Sequence, residues 1–405
     1  MSSDPDGTIQ LNSFNGVLDE VEKGEHLTPE QRIKQLTKFI GGFEKWSQLN
    51  EDCRLYIVQC LDYKSRCQLE RCSKQDQSTV KSTPIHVHNI VIFYSKLCPD
   101  WYGDEPFNNV QVEVEFGNST RNYSLVFSQD GENTKRQWLK YFPRKEPKVQ
   151  TLVIKGSNYY EEAIKFAEGF MKKGNFEMDR ICISMSRYPC ETSQVRPMPF
   201  CKNARIGVTS LEQLGWWLSK LPEDMDRLYL YSNEEGSDEF VFPSQSLDVP
   251  QVRRAKLLSV SGKVGFTDRQ VLSLTNRSIY LEDVSVSDET LNQLIKRWIN
   301  GNCYKGFEQA HLGSIKDRSL DVILDGIQVV EWDEDFREKV GFFYSEFHRF
   351  CGGGGVSYQI SSRVDPYESL TLNCFDDGFY LYHTGKRAIY NGESVEEYFV
   401  PRGYW

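Results

Sequence analysis

The sequence predicts a mixed α/β protein: a helical hairpin near the N-terminus, a strand-rich segment after it, and then a long array of β-α units. Three observations predict this. Apolar residues recur at helical spacing between Leu49 and Cys72, β-branched alternation sets in after Pro84, and from about Val149 strand-like and helix-like runs take turns. With 405 residues, two or three folding units are expected at roughly 100–200 residues each. The 39% hydrophobic content is low, but 13% aromatics and no long low-complexity tract argue for a folded chain.

Residues 1–27 are polar with isolated apolar positions, and the expectation is a flexible arm. Residues 28–84 read as helical. Thr28 as N-cap, Pro29 at the first helical position and Gln31 make a capping-box pattern, followed by Ile33, Leu36, Ile40 and Phe43 at helical spacing. Gly41-Gly42 ends or bends that helix, and Trp46 leads into the next segment. There Leu49, Cys53, Ile57 and Leu61 form one stripe, Asp62-Tyr63 breaks the rhythm, and Leu69 and Cys72 restart it. Each piece is shorter than the roughly 12–15 residues at which an isolated helix becomes marginal, so the stripes must bury against something, either this chain or another protein.

Residues 85–148 read as a strand-rich connecting segment, with IHVHNIVIFY, VQVEVEF and YSLVFS as strands and GNSTRN as a hairpin link. In 149–405, VQTLVIKG, DRICISM, DRLYLYS, AKLLSVSG, RSIYLED and EQAHLGS read as strands, separated by helix-like runs such as SLEQLGWWLSKL and DETLNQLIKRWINGN. Strand, helix, strand at intervals of roughly 25–45 residues argues for right-handed β-α units on a parallel sheet, a leucine-rich-repeat-like array. No strict LxxLxLxxN consensus is present, so an irregular α/β domain with an ordinary closed sheet stays open. In the helix from Asp288, residues Leu291, Leu294, Ile295 and Trp298 form the expected buried stripe, with Asn292 and Lys296 turned away or at the rim and Gly301 just past the end.

Composition narrows the function. A net charge of −10, with no basic stripe among aromatics, argues against nucleic acid as a partner. No apolar run approaches the roughly 18 residues of a membrane span, and MSSDPDGTIQ lacks the features of a secretion signal, so an intracellular protein, cytoplasmic and/or nuclear, with no membrane partner is expected. Eleven scattered cysteines suit reduced thiols. Cys53, Cys60 and Cys67 are seven apart, but that is also helical spacing and no ligand set accompanies them; no metal or cofactor is expected. His86 and His88 share a strand face as ordinary half-exposed histidines. Among Gly-rich, acidic and nucleophile motifs, only the Cys351–Gly355 run and the acidic Glu331–Glu338 run stand out, and they read as a linker and a solvated face. No catalytic residues are expected, and the chain is not expected to be an enzyme.

The segment 49–74 resembles an F-box. Leu49, Glu51-Asp52, Ile57-Val58, Leu61-Asp62, Leu69 and Cys72-Ser73 fall in the register of that family, with Asn50 where it usually has Pro and Arg66 where it usually has Leu. Asn50 can cap the first helix through its side-chain oxygen. The stem of Arg66 is expected to cover apolar surface while its guanidinium reaches water. The segment from Ser285 to Leu312 resembles the F-box-associated region of the large nematode-type families at Leu291, Asn292, Lys296, Trp298, Ile299 and Gly301. Ser357–Phe375 resembles the terminal strand pair of that region, with Arg363-Val364-Asp365-Pro366 where Arg-x-Asp-Gly is common. The resemblance implies a substrate-receptor subunit of a cullin-type ubiquitin ligase. It would bind a Skp-family adaptor, and through it a cullin, by Leu49, Cys53, Ile57, Val58, Leu61, Leu69 and Cys72, and an unknown protein substrate by its leucine-rich-repeat-like region. A stand-alone repeat scaffold and a small-molecule-binding α/β protein are the competing readings.

Overall fold

The computed structural model describes residues 46–94, 109–116, 123–142, 145–171, 176–233, 240–303, 306–313, 318–331, 356–365, 368–375, 378–383, 385–390 and 393–398. The expected arm, the Thr28 helix, the glycine run and most of the acidic run lie outside them. The chain forms two compact units, 1–83 and 84–405.

In the first unit the expected hairpin carries a further helix: α1 (Glu51–Cys60), α2 (Tyr63–Leu69) and α3 (Lys74–Ser82). Each begins at a residue whose side chain answers an orphan amide. Asn50 Oδ1 accepts from Cys53 N at 2.8 Å, Asp62 Oδ1 from Ser65 N at 2.7 Å and Ser73 Oγ from Asp76 N at 3.0 Å. The Trp46 indole donates to Asp76 Oδ1 at 2.8 Å, tying the chain ahead of α1 to α3. Val58 and Val80 are buried.

The second unit is built on one long sheet. Its strands are β1 (Ile85–Tyr94), β2 (Asn109–Glu115), β3 (Tyr123–Asp130), β4 (Asn133–Phe142), β5 (Lys145–Ile154), β6 (Phe176–Ser184), β7 (Cys201–Val208), β8 (Arg227–Ser232), β9 (Val241–Pro243), β10 (Leu257–Gly265), β11 (Ser278–Val284), β12 (Gln309–Gly313), β13 (Val330–Glu331), β14 (Val356–Ser361), β15 (Ser369–Phe375) and β16 (Gly378–His383). The order is β13-β14-β15-β16-β12-β11-β10-β8-β7-β6-β1-β2-β3-β4-β5, with β9 beside β10. β1, β6, β7, β8, β10, β11 and β12 run parallel; β1 to β5 and β12 to β16 are antiparallel margins. A separate hairpin pairs Gly385–Tyr390 with Glu393–Tyr398.

Two sequence expectations shift here. The run at 149–154 belongs to β5, which pairs antiparallel with β4 and closes one margin rather than opening the parallel series. The boundary expected at residue 148 falls inside that strand, and β1 pairs directly with β6, so the 85–148 strands extend the same sheet. Alternation alone cannot show pairing direction, because a strand looks the same whichever neighbour it meets.

Helices cover one face. α4 (Tyr159–Met171) packs on β2 and β3 through Ala163, Ala167 and Phe170, and α5 (Leu211–Lys220) packs on β7 with Trp217 fully buried. Beyond them lie α6 (Pro250–Arg254), α7 (Asp268–Ser273), α8 (Asp288–Ile299) and α9 (Leu320–Ile323). Ile181, Ala204, Leu228, Leu258, Ile279 and Ala310 share one register row across β6 to β12, and all are buried. Leu291, Ile295 and Trp298 of α8 are buried as expected, with Leu294 partly so. Asn292 is not turned away. It is buried and donates its amide to Ile323 O and Asp325 O, both at 2.9 Å, fastening α9 to α8. Asn276 does the same to Val252 O at 2.9 Å and Ala255 O at 2.6 Å at the end of α6.

Candidate partner-binding surfaces

On α1 the helical period sorts side chains into two sets. Val58 is fully buried and belongs to the core of its own unit. Cys53 and Cys60 are exposed, Tyr56 is 69% exposed, and Leu49, Ile57 and Leu61 are half-buried. Residues 53, 56, 57 and 60 lie on one helical face, so α1 presents an apolar strip outward. Leu69 is half-buried and Cys72 exposed at the end of α2. Of the residues expected to bind an adaptor, six therefore keep accessible surface and Val58 does not. Tyr56 stands outside the i, i+4 stripe that starts at Leu49, so helical spacing alone does not single it out.

Arg66 overturns the expectation of a guanidinium in water. It is buried, with Nε donating to Leu61 O at 3.2 Å and Nη2 to Gln59 O at 3.1 Å. Burial lowers its pKa, while nearby Cys60 opposes that fall. The cation thus closes the carbonyl end of α1, where a positive charge also suits the helix dipole.

The second surface is the sheet face opposite the helices. Strand alternation puts Arg205, Tyr229, Tyr280, His311 and Tyr380 in one register row between the two buried rows, on β7, β8, β11, β12 and β16. Arg205 is exposed, Tyr280 is 41% exposed and the others are half-buried. His311 stacks on Tyr380 with centroids 3.9 Å apart and meets Tyr280 edge-on at 4.2 Å. Arg205 lies over the Tyr231 ring at 5.1 Å. Two residues earlier along the same strands, Arg180 of β6 and Arg227 of β8 share another row on this face, both exposed.

The strand N-termini form a third feature, a rim of paired charges. Lys202 meets Asp179 at 2.8 Å, Lys256 meets Asp226 at 2.7 Å and Arg277 meets Glu308 at 2.5 Å. His86 and His88 both reach Asp179 Oδ2, at 2.7 and 3.2 Å, which gives the expected strand histidines a carboxylate partner. Partial burial works against ionisation of Asp179, yet bonds from Lys202, His88 and His86 outweigh it and hold its pKa below the ordinary value. The two stretches of F-box-associated resemblance also meet in space. Arg363 N donates to Ile299 O at 3.0 Å, and Val364 sits against Gly301.

A capped helical unit is followed by a β-α sheet unit, and each carries an accessible strip of side chains. The F-box domain family matches residues 46–88, which span α1 to α3 and the start of β1. An uncharacterised F-box protein of Caenorhabditis elegans is 36% identical over 388 residues, covering 95% of this chain and all of that protein. The chain belongs to the nematode-type F-box proteins. The F-box is a module of the adaptor subunits of SCF-type ubiquitin ligases, which are typically not enzymes. No solved structure matches the chain.

Proposed function

We propose that this protein is a substrate-receptor subunit of an SCF-like, cullin-type ubiquitin ligase acting inside the cell. The observation that carries this reading is the outward apolar strip of α1 within the F-box region. Leu49, Cys53, Ile57 and Leu61, continued by Leu69 and Cys72, would meet a Skp-family adaptor, and through it a cullin. Val58 would support that surface from behind, and Tyr56 joins it. The sheet unit, read as a leucine-rich-repeat-like array, would hold the target protein. The subunit does no chemistry itself; it raises the effective concentration of target lysines near a ubiquitin carrier.

The test is co-precipitation of the full chain with a Skp-family adaptor. Interface energy concentrates in a few anchors worth about 2 kcal/mol or more, so Ile57→Asp with Leu61→Asp should abolish capture. Tyr56→Asp, at a position exposed enough to leave folding unchanged, should weaken capture by at least about tenfold. Undiminished capture by both variants would remove the F-box surface from the reading. The competing scaffold reading expects no adaptor binding by the unaltered chain.

A further inference from the structure

Two sets of cations along the sheet differ in their surroundings. Those at the rim are matched: Lys202, Lys256 and Arg277 each face a carboxylate within 2.8 Å. On the open face two guanidiniums lack such a match: among the described residues, Arg180 has no carboxylate partner, and Arg205 has only the ring of Tyr231. This concentration occurs in a chain whose net charge is −10, where acids outnumber bases and could readily have supplied partners. Farther along the same face the side chains become aromatic: Tyr229, then Tyr280, His311 and Tyr380 in ring contact.

We propose that this face receives an extended segment of the target protein that is acidic at one end and apolar or aromatic at the other, lying across the strands. The proposal rests on the receptor reading above and supplies the chemistry of the target. Carboxylates would pair with Arg180 and Arg205, whose planar donor forks suit bidentate contact, while apolar side chains pack on Tyr280, His311 and Tyr380. Tyrosine and arginine are the residue types that most often anchor interfaces, because they offer large contact area with few rotors to freeze. The span follows from sheet geometry. From β6 to β16 there are six inter-strand steps of about 4.8 Å, about 29 Å in all, which an extended peptide covers in about nine residues at about 3.3 Å each.

The probe is a fluorescein-labelled peptide of about nine residues, glutamates in its first half and phenylalanines alternating with serines in its second, titrated into the full chain by fluorescence anisotropy. A companion with lysine for each glutamate is the charge control. The expected result is saturable binding of the acidic peptide, weakened by salt and at least about tenfold tighter than the lysine peptide. Arg180→Glu with Arg205→Glu should lower affinity for the acidic peptide at least tenfold, with an unchanged melting temperature because both side chains are exposed, and Tyr280→Ala should weaken both peptides alike. Equal binding of the two peptides, no binding of the acidic one, or a charge-reversed variant that binds like the parent would overturn the proposal. Adaptor capture is read on the same samples. Peptide binding that persists in a chain that captures no adaptor supports this face as a docking surface and overturns the ligase reading instead.

Discussion

Where F-box sequences usually carry leucine, Arg66 carries a buried cation that holds Gln59 O and Leu61 O. Arg66→Leu keeps an apolar stem and removes both donors. With those carbonyls left without their charged partner, local stability should fall by about 1–3 kcal/mol, seen as faster hydrogen exchange of α1 and α2 amides with adaptor affinity reduced only as far as α1 frays. Nothing in the local sequence announces this bond, because it depends on how sharply the chain turns between α1 and α2. Asp268 offers a second test at the same scale. Burial disfavours its charge, but the backbone amide and hydroxyl of Ser287, at 2.9 and 2.8 Å, together with Thr290, more than compensate and lower its pKa. A carboxylate with a lowered folded pKa contributes stability above the unfolded value of about 3.9, and that contribution disappears as pH falls through the folded one. The melting temperature should therefore drop between pH 6 and pH 3 in the parent, and the part due to this site should be missing in Asp268→Asn.

The α8 helix shows how far periodicity carries. Asp288 opens it and Gly301 follows its end with φ +71°, as the sequence pattern implies, while Ser287 supplies a cap that the pattern did not single out and the helix runs to Ile299. The buried stripe could be read because helical spacing is local, and so could the glycine, because positive φ costs other residues about 1–2 kcal/mol. Asn292 could not be read, since its partners lie about thirty residues away in α9. The extra helix α3 carries a local start signal, Ser73 with Asp76 three residues on. Trp298→Ala should cost about 3–5 kcal/mol in the sheet unit, measured as a lower melting temperature with adaptor capture intact. Gly301→Ala adds a Cβ that would come within 2.9 Å of Val364 Cγ2 on top of the positive φ, so it should destabilise the same unit and disturb the Arg363–Ile299 contact. Denaturant midpoints of the two variants check both expectations.

Across the molecule, the sequence separated the helical part from the strand-bearing part and showed where helices alternate with strands. It left strand direction and neighbours unread, because those are set by pairings such as β1 with β6, ninety residues apart. That same pairing predicts that the antiparallel margin and the parallel series share one unfolding event: amides on β2 and on β10 should exchange with a common slowest rate, and two well-separated rates would divide the sheet into independent parts. The alternation of rows across this sheet has a further consequence. Rows such as the one from Ile181 to Ala310 face the helices and set whether the chain folds; the rows between them face outward and leave the fold untouched. The asparagine clamps at Asn276 and Asn292 close the joints between helices without calling on any outward residue. Substitution can then act on the two kinds of row separately: the outward alphabet can be rewritten position by position while the buried rows keep the same skeleton.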